Sequence, residues 1–156
     1  FKLIQIPKGI HSATNDSYSI AVRFTKSNNQ NNKLKKYPIC IPNGLGATMV
    51  TISILHEELV KEGYTVLSYD RLGVGFSDNN TTNIVPTAED VVNEMNYVMN
   101  SLLPDETNWI LIGPSMGSIV AQCYMATYPE KVKGFINVDG LPYPFSKVKD
   151  SFVKAR

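Results

Sequence analysis

Gly113-Pro114-Ser115-Met116-Gly117 is the segment whose residue types and spacing most directly imply chemistry. A serine with glycine two positions away on each side suits a strand that turns sharply into a helix. The turn sets the serine Oγ at its tip in a strained backbone conformation, and the glycines let strand and helix pass closely. A hydroxyl presented this way is a candidate nucleophile for acyl transfer. The pattern fixes only three positions, and a plain strand-to-helix turn is the alternative. Its flanks are of the required kind. Trp109-Ile110-Leu111-Ile112 is strand-like, and Met116, Ile119, Val120 and Cys123 form an apolar helical stripe.

Two more glycine-bearing segments stand at strand ends. Asn43-Gly44-Leu45-Gly46 follows the strand-like run Tyr37 to Pro42 and reads, by itself, as a glycine turn into a helix. Asp70-Arg71-Leu72-Gly73-Val74-Gly75-Phe76-Ser77-Asp78 follows Tyr64 to Tyr69. A phosphate cradle needs a helix opening directly on the glycines, whereas here polar residues and Pro86 intervene.

The elements that must position these segments follow from periodicity. Lys2 to Ile6 and Tyr18 to Thr25 are predicted strands, followed by a polar insert, Ser27 to Asn32, expected as an exposed mobile hairpin loop. Met49, Ile52, Leu55 and Leu59 predict a helix over Ala47 to Glu62, with His56 beside the stripe. Thr87 with Asp90 is a capping-box pattern, and Val91, Val92, Met95, Met99 and Leu102 form the next stripe. Met116 to Tyr128 is a third helix, Gly134 to Val138 a further strand, and Phe145, Val148 and Phe152 suggest the start of another helix. Strand–helix alternation implies a mostly parallel sheet with helices on both faces. No internal repeat or domain boundary interrupts residues 1–156.

Taken in order, the three glycine segments resemble those of the α/β-hydrolase-fold superfamily, serine hydrolase branch. The D-R-x-G-x-G-x-S loop at Asp70–Ser77 is similar to the loop after that fold's fourth strand. Tyr128 to Gly134, running into Phe135 to Asp139, is similar to its next helix-to-strand connection. The resemblance implies an incomplete α/β-hydrolase fold, comprising the first six strands. It implies Ser115 as nucleophile and an oxyanion hole from the backbone amides of Leu45 and Met116. Asn43, Gly44, Gly113, Gly117, Asp70, Gly73 and Gly75 would be the supporting loop residues. It implies a carboxylic-ester hydrolase or lipase-like acyl transfer on a small-molecule ester or amide-like substrate, with peptidase and C–C bond hydrolase left open. No metal and no cofactor are called for. Serine at this position argues against epoxide hydrolysis in the family's usual manner.

The departures are specific. Asn43 stands where the family usually has His, Pro114 where a residue with a free amide is common, and Ser118 where Gly is frequent. Triad partners follow the serine in the order acid, then His, yet no histidine follows Ser115. His11 and His56 precede it and are expected to be structural or surface groups. Asp139, at the end of the sixth strand, is the candidate acid, with a turn-anchoring role as the alternative. The chain alone is therefore expected to be inactive and, with an open sheet edge, poorly soluble. The alternative reading is a non-catalytic binding or degenerate member of the same fold.

Bulk properties agree with an ordinary globular core. Fifteen basic against fourteen acidic residues leave a net charge of +1, which points to neither nucleic acid nor an anionic membrane. No apolar run approaches the ~18 residues of a membrane span. Cys40 and Cys123 read as small buried hydrophobes rather than a disulfide. The sequon matches at Asn15, Asn79 and Asn80 carry little weight in a chain this rich in Asn.

Overall fold

Side-chain alternation decides what each strand gives to each face of the sheet. In β3 (Ile39–Pro42), Ile39 and Ile41 join one apolar cluster and Cys40 the other. β4 (Val66–Tyr69) divides likewise, Val66 to the first cluster and Leu67 with Tyr69 to the second. Period-two patterning buried on both faces is the signature of a sheet covered by helices on each side. The computed structural model describes residues 1–12, 14, 16–27, 36–82 and 84–140.

The remaining elements are β1 (Lys2–Ile6), β2 (Tyr18–Thr25), α1 (Ser53–Lys61), α2 (Ala88–Leu102), β5 (Trp109–Pro114), α3 (Met116–Thr127) and β6 (Val132–Val138). The strands form one six-stranded sheet in the order β1-β2-β4-β3-β5-β6. β2 is antiparallel to both its neighbours, while β4, β3, β5 and β6 run parallel. The carboxyl ends of those four strands therefore meet along one edge, where all three glycine segments emerge.

α2 and α3 cover one face, packing Val92, Met95, Val98, Val120 and Tyr124 on Ile20, Leu67 and Leu111. On the other face Leu59 and Val60 of α1 pack on Ile39, Ile41, Val66 and Ile112. Each such side chain contributes about 1.5–3 kcal/mol on removal from water. The Thr87–Asp90 capping box forms as expected: Thr87 Oγ1 accepts from the Asp90 amide at 3.2 Å and Asp90 accepts from the Thr87 amide at 2.7 Å. Both cysteines are buried and free. Burial pushes both thiols up, that of Cys123 to about 11.

Two expectations need correction. The first helix begins at Ser53, not Ala47, because the backbone ahead of it is held in turns. Thr51 and Ser53 donate to the carbonyls three residues back, at 3.0 and 3.1 Å, and the Met49 amide is taken by the Asp70 carboxylate at 2.6 Å. Met49 is buried in that turn, whereas Leu55 is exposed and His56 fills the inward position. The strands predicted from Tyr37 and Tyr64 also start later, at Ile39 and Val66. The polar insert beyond Ser27 and the run containing Phe145, Val148 and Phe152 lie outside the described residues.

Candidate active site

Ser115 sits at φ 50°, ψ −125°, between the last residue of β5 and the first of α3. Few non-glycine residues adopt that backbone conformation, and holding one there costs about 1–3 kcal/mol. The surrounding geometry explains how it is held. The Ser115 amide donates to the Val138 carbonyl of β6 at 2.9 Å, and the Ser118 amide donates to the Ser115 carbonyl at 3.0 Å. A Cβ on Gly113 would lie 2.5 Å from Ser118 Cα, and one on Gly117 would lie 2.0 Å from the Pro42 carbonyl oxygen. Both contacts are with backbone, so only glycine fits at either position. The serine itself is exposed at the tip.

Gly44 lies against this tip. A Cβ there would be 3.4 Å from Ser115 Cβ and 3.9 Å from Ser115 Oγ, so the loop after β3 and the elbow share one small space. Leu45, the next residue, is exposed, and Met116 opens α3 directly after the serine. The expected oxyanion-loop residues and the expected nucleophile are thus brought together at the carboxyl edge of the sheet.

The loop after β4 builds the support. Asp70 is fully buried; one carboxylate oxygen accepts from the Met49 amide at 2.6 Å and the other from the Phe76 amide at 3.0 Å. Gly75, at φ 58°, allows the loop to fold onto that carboxylate, where a Cβ would lie 2.1 Å from Asp70 Oδ2. Ser77 Oγ donates to the Asp70 carbonyl and accepts from the Ala21 amide at 2.8 Å, fastening the loop to β2. Asn43 Nδ2 donates to the Tyr69 carbonyl at 2.8 Å, so Asn43 in the usual histidine position serves as an anchor for the loop. Arg71, nearly buried, donates from Nη2 to the Gly44 carbonyl at 3.1 Å.

Beneath Arg71 lies a buried polar group that sequence reading missed. Glu94 of α2 accepts from the Tyr18 hydroxyl at 3.0 Å and from the Leu72 amide at 3.4 Å. Desolvation raises its pKa to about 7, against the opposing pull of those two hydrogen bonds and the Arg71 charge. The sequence signal was a glutamate placed between Val91 and Val98 on the apolar stripe. Ser118 was noted only as a departure from glycine. Its Oγ is buried, and a Cβ on Gly140 would lie 1.9 Å from it, so the turn after β6 closes directly over α3.

Asp139 follows the carbonyl that accepts the Ser115 amide. Its backbone is also left-handed, φ 53°, and the Asn137 side chain pins the turn through two hydrogen bonds to Gly140, at 2.9 and 3.1 Å. The Asp139 side chain has no hydrogen bond among the described residues.

Neither histidine is paired with the serine by a described hydrogen bond. His56 of α1 is buried over β2 and β4, its ring nitrogens both 3.0 Å from hydroxyls, Nδ1 from Ser68 Oγ and Nε2 from Thr25 Oγ1. Desolvation and the nearby Arg23 lower its pKa to about 4, against a smaller opposing effect of Glu57. His11 packs edge-on against Tyr18 and is buried, which lowers its pKa despite Asp90 nearby. Among the described residues no helix is long and apolar enough to cross a membrane.

Known proteins agree with this architecture. The profile of the alpha/beta hydrolase fold family matches residues 37–155. A proline iminopeptidase of Elizabethkingia meningoseptica is 32% identical over 76 residues, 49% of this chain and 26% of that protein. One from Flavobacterium johnsoniae is 30% identical over the same shares. The matched segment is therefore about a quarter of those relatives' length. A carboxylesterase structure from the thaumarchaeon Nitrososphaera gargenis superposes with a TM-score of 0.73 at 20% identity, over 97% of this chain and 51% of the other. An esterase from Thermogutta terrifontis gives 0.74 at 23% identity, over 92% and 47%. With the six-stranded sheet, the strained serine and the family profile all in agreement, the chain belongs to the alpha/beta hydrolase fold family.

Proposed function

We propose that this chain carries the nucleophile and oxyanion-hole half of a serine hydrolase that works by acyl transfer. The observation that supports this best is the positive φ of Ser115 together with the nearness of the Gly44 loop, where a Cβ on Gly44 would lie 3.4 Å from Ser115 Cβ. Ser115 Oγ gives its proton to a histidine base and attacks a substrate carbonyl, while the amides of Leu45 and Met116 hold the developing oxyanion. The alcohol or amine leaves with that proton, and water then adds to the acyl-serine, releasing the acid and restoring the serine hydroxyl. The two amide donors are worth a few kcal/mol each to the transition state. Asp139 is the candidate acid, and the proton-accepting histidine is supplied from outside these 156 residues.

A carboxylic ester is the first substrate class, in keeping with the esterases that share the fold. A peptide substrate is the second reading, favoured by the similarity to proline iminopeptidases over 76 residues. Assays of the full natural chain against p-nitrophenyl acyl esters and N-terminal prolyl amides separate the two. Turnover that vanishes in Ser115→Ala is expected; turnover that survives it sinks the serine mechanism. No turnover of any acyl substrate by the full chain favours the non-catalytic alternative. For the 156-residue chain alone, no hydrolysis dependent on Ser115 is expected, because a serine without a base is a poor nucleophile.

A further inference from the structure

The loop Asn43-Gly44-Leu45-Gly46 is intrinsically loose. With glycine at 44 and 46, the peptide linking Gly44 to Leu45 lacks much of the steric restraint that side chains impose. Three consecutive residues at the carboxyl end of β4 compensate. The Tyr69 carbonyl holds the Asn43 side chain, the Asp70 carboxylate holds the Met49 amide, and Arg71 holds the Gly44 carbonyl between them. The first two anchors fix where the loop begins and ends. Only the third acts on the peptide that matters for an oxyanion.

The Gly44 carbonyl and the Leu45 N–H are two ends of one planar unit, and all described peptide bonds are trans. A trans peptide points its C=O and its N–H in opposite directions. Holding the carbonyl toward Arg71 therefore fixes the direction of the Leu45 N–H, in a loop so near the elbow that a Cβ on Gly44 would lie 3.4 Å from Ser115 Cβ. A nearly buried guanidinium hydrogen-bonded to a carbonyl is a charge-assisted contact, stronger than the neutral kind. It opposes rotation of the peptide about its flanking bonds, which would turn the N–H away.

We propose that Arg71 is a positioning residue that sets the oxyanion-binding direction of the Leu45 amide by holding the Gly44 carbonyl. This rests on the serine hydrolase reading above and deepens it. Arg71 touches no reacting atom; it acts through the peptide plane. Because it favours a donor used when negative charge develops, its loss affects the transition state more than substrate binding.

The test uses the full natural chain with Arg71→Met and Arg71→Lys. Arg71→Met is expected to lower kcat by about 10- to 100-fold, up to the scale of losing one oxyanion donor, with KM changed little. Affinity for a trifluoromethyl ketone inhibitor, which presents a tetrahedral oxyanion, falls by a similar factor. Arg71→Lys, with a donor on a shorter and less directed head, recovers part of both. A drop in KM-dependent binding alone, or wild-type kcat and inhibitor affinity in a folded Arg71→Met, overturns the proposal. Hydrogen exchange gives a readout independent of turnover. The Leu45 and Gly46 amides should exchange faster in both variants, Arg71→Met most, while those of Gly117 and Ser118 do not; unchanged exchange at Leu45 also overturns it. Turnover that persists in Ser115→Ala would instead remove the serine mechanism, leaving the exchange result to decide whether Arg71 holds the loop.

Discussion

The two connections that meet at Ser115 are held in different ways. The β5–α3 elbow is fixed by backbone against backbone: Gly113 against Ser118, Gly117 against Pro42, and the Ser115 amide on Val138. The loop after β3 is fixed by side chains borrowed from a distant stretch, through Asp70, Arg71 and its own Asn43 on Tyr69. The first arrangement needs particular small residues at fixed spacing and leaves a local sequence signature. The second spreads its requirements over residues 21 to 27 apart in sequence, and it carries charge. An elbow built this way depends on side chains being absent, whereas the facing loop depends on side chains that reach it from the end of β4.

Substitution at the elbow should give the largest effect. Gly117→Ala forces its methyl into the Pro42 carbonyl, so a loss of about 4 kcal/mol is expected in urea unfolding of the full chain, at the exceptional end for one substitution. A loss under about 1 kcal/mol would mean that strand and helix can separate there, and the contrast with the loop would weaken.

The pH response should come from two buried groups away from the elbow, Glu94 and His56. Glu94 titrates near 7 in the fold against about 4.5 unfolded, so its neutral form is favoured by folding. That stability is fully present below about pH 4.5 and is lost as pH rises through 7, roughly 3 kcal/mol in all. His56 works in the opposite sense. Its pKa of about 4 in the fold, against 6.5 unfolded, gives stability that is present above 6.5 and lost as pH falls through 4. Between about 4.5 and 6.5 the two slopes oppose each other. Glu94→Gln should therefore expose a rise in stability with pH over that range and flatten the fall toward pH 7. Identical pH profiles for Glu94→Gln and wild type, followed by thermal unfolding, would remove Glu94 from the account.

Asp70→Asn keeps the size of the side chain but turns an amide NH₂ toward one of two backbone N–H donors. A cost of about 2 kcal/mol is expected, with faster exchange at Met49 and Phe76. The smallest effect should come at the serine. Ser115→Gly relieves the positive φ and Ser115→Ala does not, so the glycine variant should be the more stable by about 1 kcal/mol. Equal melting temperatures would mean the elbow imposes no strain there.

What the sequence made legible follows the same division. Every strand, the capping box at Thr87 and Asp90, and the elbow around Ser115 could be read because each depends on residues within a few positions of one another. The start of α1 could not, because the Met49 amide is claimed by Asp70, 21 residues later, before it can enter a helix. Leu55 and His56 exchanged expected roles because His56 finds hydroxyl partners on two strands, Thr25 and Ser68. Glu94 was hidden for the same reason: its partners Tyr18 and Leu72 are remote in sequence, and only its place on an apolar stripe gave it away.

Ser115 and Asp139 are the two non-glycine residues with positive φ among those described, and they stand at the ends of adjoining strands, joined through Val138. β6, which carries one of them, pairs with β5 from Trp109 and Val132 through to Pro114 and Val138. The strain is thus shared across one strand pair, and separating β6 from β5 would release it at both positions together. Loss of the reactive arrangement on heating should therefore track the opening of the β5–β6 pair, which exchange at the Ser115 amide would read.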